Sequence, residues 1–236
     1  MNGDTSDLKI ELAGDTMSPD ALLPVLNEDA PPLELPDRAT LLPDGTVRLD
    51  FEFPCKLEYR DTRGTVARVE TFDHLVLRRL QGPDMRRILD AKNATNAALA
   101  RSAGLTPAKL ALLVNAMDSA DVGAAQQVIN ELLGGLKDGL PAHAEETAEG
   151  YRLPLFYPAT DGDGEAHTDL LFRRMTGADR IAISQAKDPL DWAFHRATRL
   201  SPKAAKGLID DMDGADVVAA QQVIAFLSGS GRRTGR

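Results

Sequence analysis

LTPAKLALLVNAMDSADVGAAQQVINELLG, residues 105–134, returns at residues 200–229 as LSPKAAKGLIDDMDGADVVAAQQVIAFLSG. The offset is 95 with no gap, and 16 of the 30 positions are identical, among them Asp118/Asp213, Asp121/Asp216 and the run Ala124–Ile129 against Ala219–Ile224. The register persists upstream. Arg78-Arg79 falls on Arg173-Arg174, Gly82 on Gly177 and Asp84 on Asp179. A fixed offset of this length marks an internal repeat, which decides the fold before any single element is read. Farther upstream VRLDFEFP (47–54) resembles YRLPLFYP (151–158), and pairing Pro54 with Pro158 leaves the first repeat nine residues longer before its Arg pair.

Each repeat opens with strand-like alternation, as at Tyr151, Leu153, Leu155 and Tyr157, followed by a turn and a returning strand. The turns fall at Asp61–Gly64 and Asp161–Gly164, and the return strands at about 66–79 and 167–173. A two-stranded ribbon is marginal alone, so the helices that follow must cover it. The first helix is expected from Gly82 to about Arg101, its counterpart being cut at Asp188-Pro189. Thr106-Pro107 and Ser201-Pro202 start the second helix, a hydroxyl cap with Pro at the first helical position. The third begins at Asp118 and Asp213. The expected class is α+β, two tandem repeats, each a β-hairpin followed by a small helical cluster.

The domain reading follows: an acidic, Pro-rich and largely unstructured leader at 1–45, repeats at 46–135 and 150–229, a linker at 136–149 and a basic tail at 230–236. The leader carries ten acids against Lys9 and Arg38, so it holds −8 of the net −9 and leaves the repeats almost neutral. A near-neutral body lacks the clustered Lys and Arg that a nucleic-acid groove requires. The lone Cys55 permits no internal disulfide and suits a reducing compartment. No stretch reads as a secretory signal or membrane span, and the expected location is the cytoplasm.

Catalytic and metal-binding patterns fail where they are tried, and no cofactor or metal is expected. The DGDGE turn at 161–165 suggests a calcium loop, yet Ala166 and Phe172 stand where such a loop needs Gly and Glu. His74, His143, His167 and His195 form no ligand motif, and Cys55 has no poised base beside it. The repeated pairs Asp118/Asp121 and Asp213/Asp216 could hold a metal or do acid–base work, but at a helix start they more simply cap it and favour its dipole. Gln126-Gln127 and Gln221-Gln222 border an apolar stripe and stay identical where Asn130 has drifted to Ala225. They are either edge residues or candidate partner contacts.

The ordered pattern is an L-x-R-R-like return strand, a Gly-x-Asp step, L-[ST]-P, M-D-x-x-D and a closing V-I-x-x-L. It resembles the tail assembly chaperone family of long-tailed phages, of the Mu-like kind. Leu77-Arg78-Arg79, Gly82, Asp84, Leu105-Thr106-Pro107, Asp118, Asp121 and Val128-Ile129 carry it in the first repeat. Phe172-Arg173-Arg174, Gly177, Asp179, Leu200-Ser201-Pro202, Asp213, Asp216 and Val223-Ile224 carry it in the second. Members of that family are usually a single unit, so the fused pair and the acidic leader depart from it. The resemblance implies a non-enzymatic phage or prophage protein of the bacterial cytoplasm. It would bind the tape measure protein, or another tail protein, during virion assembly, with self-association also open. A structural or adaptor component of the tail, or a general helical interaction module, is the alternative.

Overall fold

The computed structural model describes residues 32–135 and 139–228. Each repeat is a three-stranded antiparallel sheet covered by four helices, an α+β module. The first has β1 (Ala39–Leu41), β2 (Val47–Arg60), β3 (Val66–Leu77), α1 (Gly82–Leu89), α2 (Ala94–Ser102), α3 (Pro107–Ala116) and α4 (Ser119–Leu132). The second has β4 (Glu145–Glu146), β5 (Gly150–Thr160), β6 (Ala166–Arg173), α5 (Gly177–Gln185), α6 (Pro189–Thr198), α7 (Pro202–Asp211) and α8 (Gly214–Leu227). The strand orders are β1-β2-β3 and β4-β5-β6.

Local chemistry explains the boundaries. Thr106 accepts from the amide of Lys109 and Ser201 from that of Ala204, so both hydroxyl–Pro pairs start helices. Ala124, Ala125, Val128, Ile129 and Leu132 bury one face of α4, and the buried residues of both modules form one continuous apolar cluster. Among the described residues no single helix is long and apolar enough to cross a membrane. The α2–α3 pair passes on length and composition but is bent by 101°.

Three sequence-based boundaries shift. The helix expected over 82–101 is two helices, because Asn93 caps a new start by accepting from the amide of Asn96. Asp188 does the same in the second module through the amide of Asp191. The module begins before residue 46: β1 pairs with β2, and Leu33 and Leu35 pack on the core. The stretch expected as a linker supplies β4, which pairs with β5, and its His143 ring lies 4.5 Å from that of Phe156. The segments read as leader and linker thus each supply the third strand of a sheet. The rest of the leader (1–31) and the basic tail (230–236) lie outside the described residues.

The nine extra residues of the first repeat are shared between the two arms of its hairpin. Pro54 to Asp61 is four residues longer than Pro158 to Asp161, and Gly64 to Arg78 is five longer than Gly164 to Arg173. In the second module the short hairpin's tip lands on α7, with the Gly162 amide donating to the Ala204 carbonyl at 3.3 Å. A side chain on Gly207 would collide with the Gly162 backbone at 2.3 Å. Leu112 occupies the position of Gly207 in the first module and is exposed, and the longer hairpin there runs past the helices.

The modules dock head to tail. The amide of Gly82 donates to the Met212 carbonyl at 3.0 Å, and that of Gly214 to the Leu80 carbonyl at 2.7 Å. Gly82 lies so close to α7 that a Cβ would stand 1.5 Å from the Ile209 carbonyl oxygen. Around this backbone joint Arg86 of α1 contacts Asp210 at 2.8 Å, Asp188 at 3.2 Å and also Asp191. At the other side Arg79 stands 3.8 Å from Asp213 and 5.1 Å over the Tyr157 ring.

Gly82→Ala therefore has no room and is expected to destabilise the chain by about 1–3 kcal/mol or to separate the modules, as overpacking does. Gly177→Ala, at the matching position with nothing within 4 Å of its Cβ, is expected to stay within about 0.5 kcal/mol of the parent, as open surface changes do. Urea unfolding of the two variants side by side checks the contrast.

Candidate recognition surfaces

The repeated aspartates divide their labour. Asp118 and Asp213 are the N-caps, accepting from the amides of Ala120 at 2.8 Å and Ala215 at 2.9 Å. Asp121 and Asp216 do not cap. Their carboxylates are fully buried and turn toward the sheet, which corrects the expectation that both acids of each pair serve the helix start. Asp216 accepts from the amides of Phe156 at 2.8 Å and Tyr157 at 3.2 Å. Asp121 accepts from Glu52 at 2.9 Å and Phe53 at 3.5 Å. These amides belong to the stretches where strand pairing breaks, between Asp50 and Cys55 and between Pro154 and Ala159. A bulge strands its donors, and buried donors must find acceptors. The carboxylate supplies two acceptors at once.

The charge balance differs between modules. Arg38 reaches Asp121 at 2.5 Å, whereas Asp216 makes no ion pair among the described residues. Burial, with the neighbouring charge of Asp213 adding to it, pushes the Asp216 carboxyl up to about 7, and burial lifts Asp213 to about 6.

Most of the remaining motif residues are structural joints. Asp84 accepts from the Gln81 amide at 3.3 Å and pairs with Arg78 at 2.8 Å. Asp179 accepts from the amide and hydroxyl of Thr176, both at 2.8 Å, in a capping box that starts α5. Arg173 pairs with Glu149 at 3.1 Å, and Arg79 sits in the joint between modules. Arg174 is exposed, with no ion pair among the described residues. Gly82 is buried at the joint, while its counterpart Gly177 is exposed.

The four glutamines lie on the rims of α4 and α8. Gln126, Gln221 and Gln222 are half-buried and Gln127 is exposed. Gln127 reaches the Glu34 carbonyl at 3.5 Å, and the Glu34 amide donates to Glu131 at 3.1 Å. The segment engaged by the α4 rim is thus the chain's own residues 33–35, which the sequence had assigned to an unstructured leader.

The surface that sequence reasoning missed is the tip of the long hairpin. Residues 61–69 are exposed throughout, with Val66 at 40% and Val69 at 51%. Its root is anchored from α3, where Lys109 pairs with Glu70 at 2.9 Å and stands 5.1 Å over the Phe72 ring. Tyr59 donates its hydroxyl to Glu70 at 3.0 Å. The nine-residue excess of the first repeat is the sequence signal for this long hairpin, and the structure divides that excess between its two arms.

The turn at 161–167 brings Asp161, Glu165 and His167 within metal-ligand distance of one another. Its geometry is explained by turn chemistry. Asp161 accepts from the amides of Asp163 and Glu165 at 2.8 and 3.0 Å, and its other oxygen meets His167 at 3.1 Å. Asp61 closes the first hairpin in the same way, through the amides of Arg63 and Thr65. Cys55 is a buried strand residue whose thiol burial pushes up, away from the thiolate form.

A folded-state carboxyl raised from its ordinary value binds a proton that the unfolded chain has released. Its contribution is therefore full below about pH 4 and is lost as pH rises toward 7. The stability advantage of the parent over Asp216→Asn is expected to be larger at pH 5 than at pH 8, changing by up to about 1.4 kcal/mol per pH unit. Urea unfolding of both proteins across that range measures it, and a pH-independent difference would contradict the assignment. Comparisons of the chain with protein-family models, with curated proteins and with solved structures gave no match.

Proposed function

We propose that the protein is a tail assembly chaperone of a long-tailed phage or prophage that binds the tape measure protein, without catalysis, while the tail is built. Two things support this reading. One is the resemblance carried by the repeated Arg–Arg, Gly-x-Asp and M-D-x-x-D motifs. The other, which carries the argument for recognition, is the bare arm at 61–69, with two valines facing solvent. A ribbon covered on neither face gains little from its own contacts, whereas a partner with long apolar helical faces would cover such valines. The neighbouring groups are polar or charged, which suits a chaperone that must shield its client and then release it. The modules are docked to each other through Gly82 and Gly214, so they present one composite surface. The avidity of two freely swinging sites, which depends on a flexible linker, is not the mode available to them.

The reading predicts a tape measure gene close by, and it is tested by co-expressing the full chain with that gene's product. A stable complex is expected in pull-down. Replacing both Val66 and Val69 by Asp should weaken it at least about tenfold, equivalent to about 1.4 kcal/mol, with the circular dichroism spectrum unchanged. Failure to recover any complex would sink the proposal, and full binding by the double variant would remove the arm from it. A tail structural or adaptor protein would instead be found by mass spectrometry in purified particles, where a chaperone should be absent.

A further inference from the structure

The joint between the modules uses two different faces. The start of α1 in the first module meets the α7–α8 step of the second. An interface of this head-to-tail kind leaves one unused face of each type, and repeating it yields a ring or an open chain. Here the unused faces are the start of α5 and the α3–α4 step. We propose that they bind each other between molecules, so that the protein assembles head to tail with further copies of itself.

Three residues at the centre of the internal joint are kept where the external one would form. Gly177 stands for Gly82, Arg174 for Arg79 and Asp118 for Asp213, so the backbone approach and the Arg–Asp pair can both be reproduced. Gly177 has no reason to be glycine within its own chain. Its φ is not in the left-handed region, and a Cβ would meet nothing within 4 Å. A neighbouring Val114 carbonyl, the counterpart of Ile209, supplies the missing reason. The aromatic partner is also in place. Tyr157 is 6% exposed beneath Arg79, while its counterpart Phe53, fixed by the same bond to the repeated aspartate, is 59% exposed. Arg174 would cover that ring in the manner of a cation over an aromatic face.

The rim has changed on both sides together. Asp188, Asp191 and Asp210, which surround Arg86, correspond to Asn93, Asn96 and Asn115. Arg86 itself corresponds to Ile181, which is 60% exposed. A first-module donor on a first-module acceptor would strand Arg86 against amides, and a second-module donor on a second-module acceptor would leave three acids without their cation. Removing charge from both unused faces therefore favours strict alternation of first and second modules along the assembly. Ser119 replaces Gly214, at a place where a Cβ comes within 2.9 Å of a facing carbonyl. The intermolecular joint is accordingly looser than the internal one and depends on concentration.

The full chain should show mass rising with concentration in light scattering coupled to size-exclusion chromatography. Gly177→Ala, which breaks only the donor face, and Ser119→Arg, which breaks only the acceptor face, should each stay monomeric. Mixed together they should form a one-to-one dimer and nothing larger, because one intact face of each type remains. A parent that stays monomeric at every concentration overturns the proposal. So does assembly of Gly177→Ala equal to that of the parent, or a mixture of the variants that yields no dimer. These outcomes do not depend on whether the tape measure protein binds.

Discussion

A carboxylate buried under a broken stretch of strand pairing is the constraint around which each module is built. Asp121 and Asp216 lie in the first turn of the last helix, yet their acceptors face the sheet. Removing such a group from water costs several kcal/mol unless it is well paired, and leaving the bulge amides unpaired would cost more again. The two penalties cancel only when helix and bulge meet in one register. That single meeting sets where the sheet lies on the helices, where Phe53 and Tyr157 point, and hence what the module offers at its α3–α4 or α7–α8 edge. The first module eases the burden with Arg38. In the second, burial raises the Asp216 carboxyl to about 7.

Much of the fold was legible because the chain states it twice. Positions that agree between repeats, such as Thr106/Ser201 and Asp118/Asp213, name the caps, and the hairpin turns announce themselves through Asp61 and Asp161. The failures have physical causes. Asn93 gives a weaker start signal than Asp188 because no Pro follows it as Pro189 follows Asp188. The edge strands β1 and β4 are three and two residues long, too short for alternation to register, and acidic surroundings made them read as connectors. The role of Asp121 and Asp216 was hidden because a carboxylate three residues after a cap looks like an aid to the cap. Only the bulge, 59 to 69 residues away, reveals the acceptor's use.

The differences between the repeats are as informative as the identities. Gly207 against Leu112 separates a hairpin seated on its helices from one that runs free. Arg86 against Ile181, with three aspartates against three asparagines, separates a joint fixed within the molecule from faces that remain open. Gly82 has no room for a side chain, whereas Gly177 at the matching position has open space around it. Under the proposed function, the free arm and the unused faces are the surfaces available to other proteins.

Hydrogen exchange at the amides of Glu52, Phe156 and Tyr157 tests the central constraint most directly. Among the described residues none of the three has a strand partner, and the buried carboxylates are their acceptors. The account requires them to exchange as slowly as the amides of Leu49 and Leu153 in the paired strand beside them. Exchange at the rate of an open loop, while those neighbours stay protected, would show that the carboxylates do not hold the sheet to the helices.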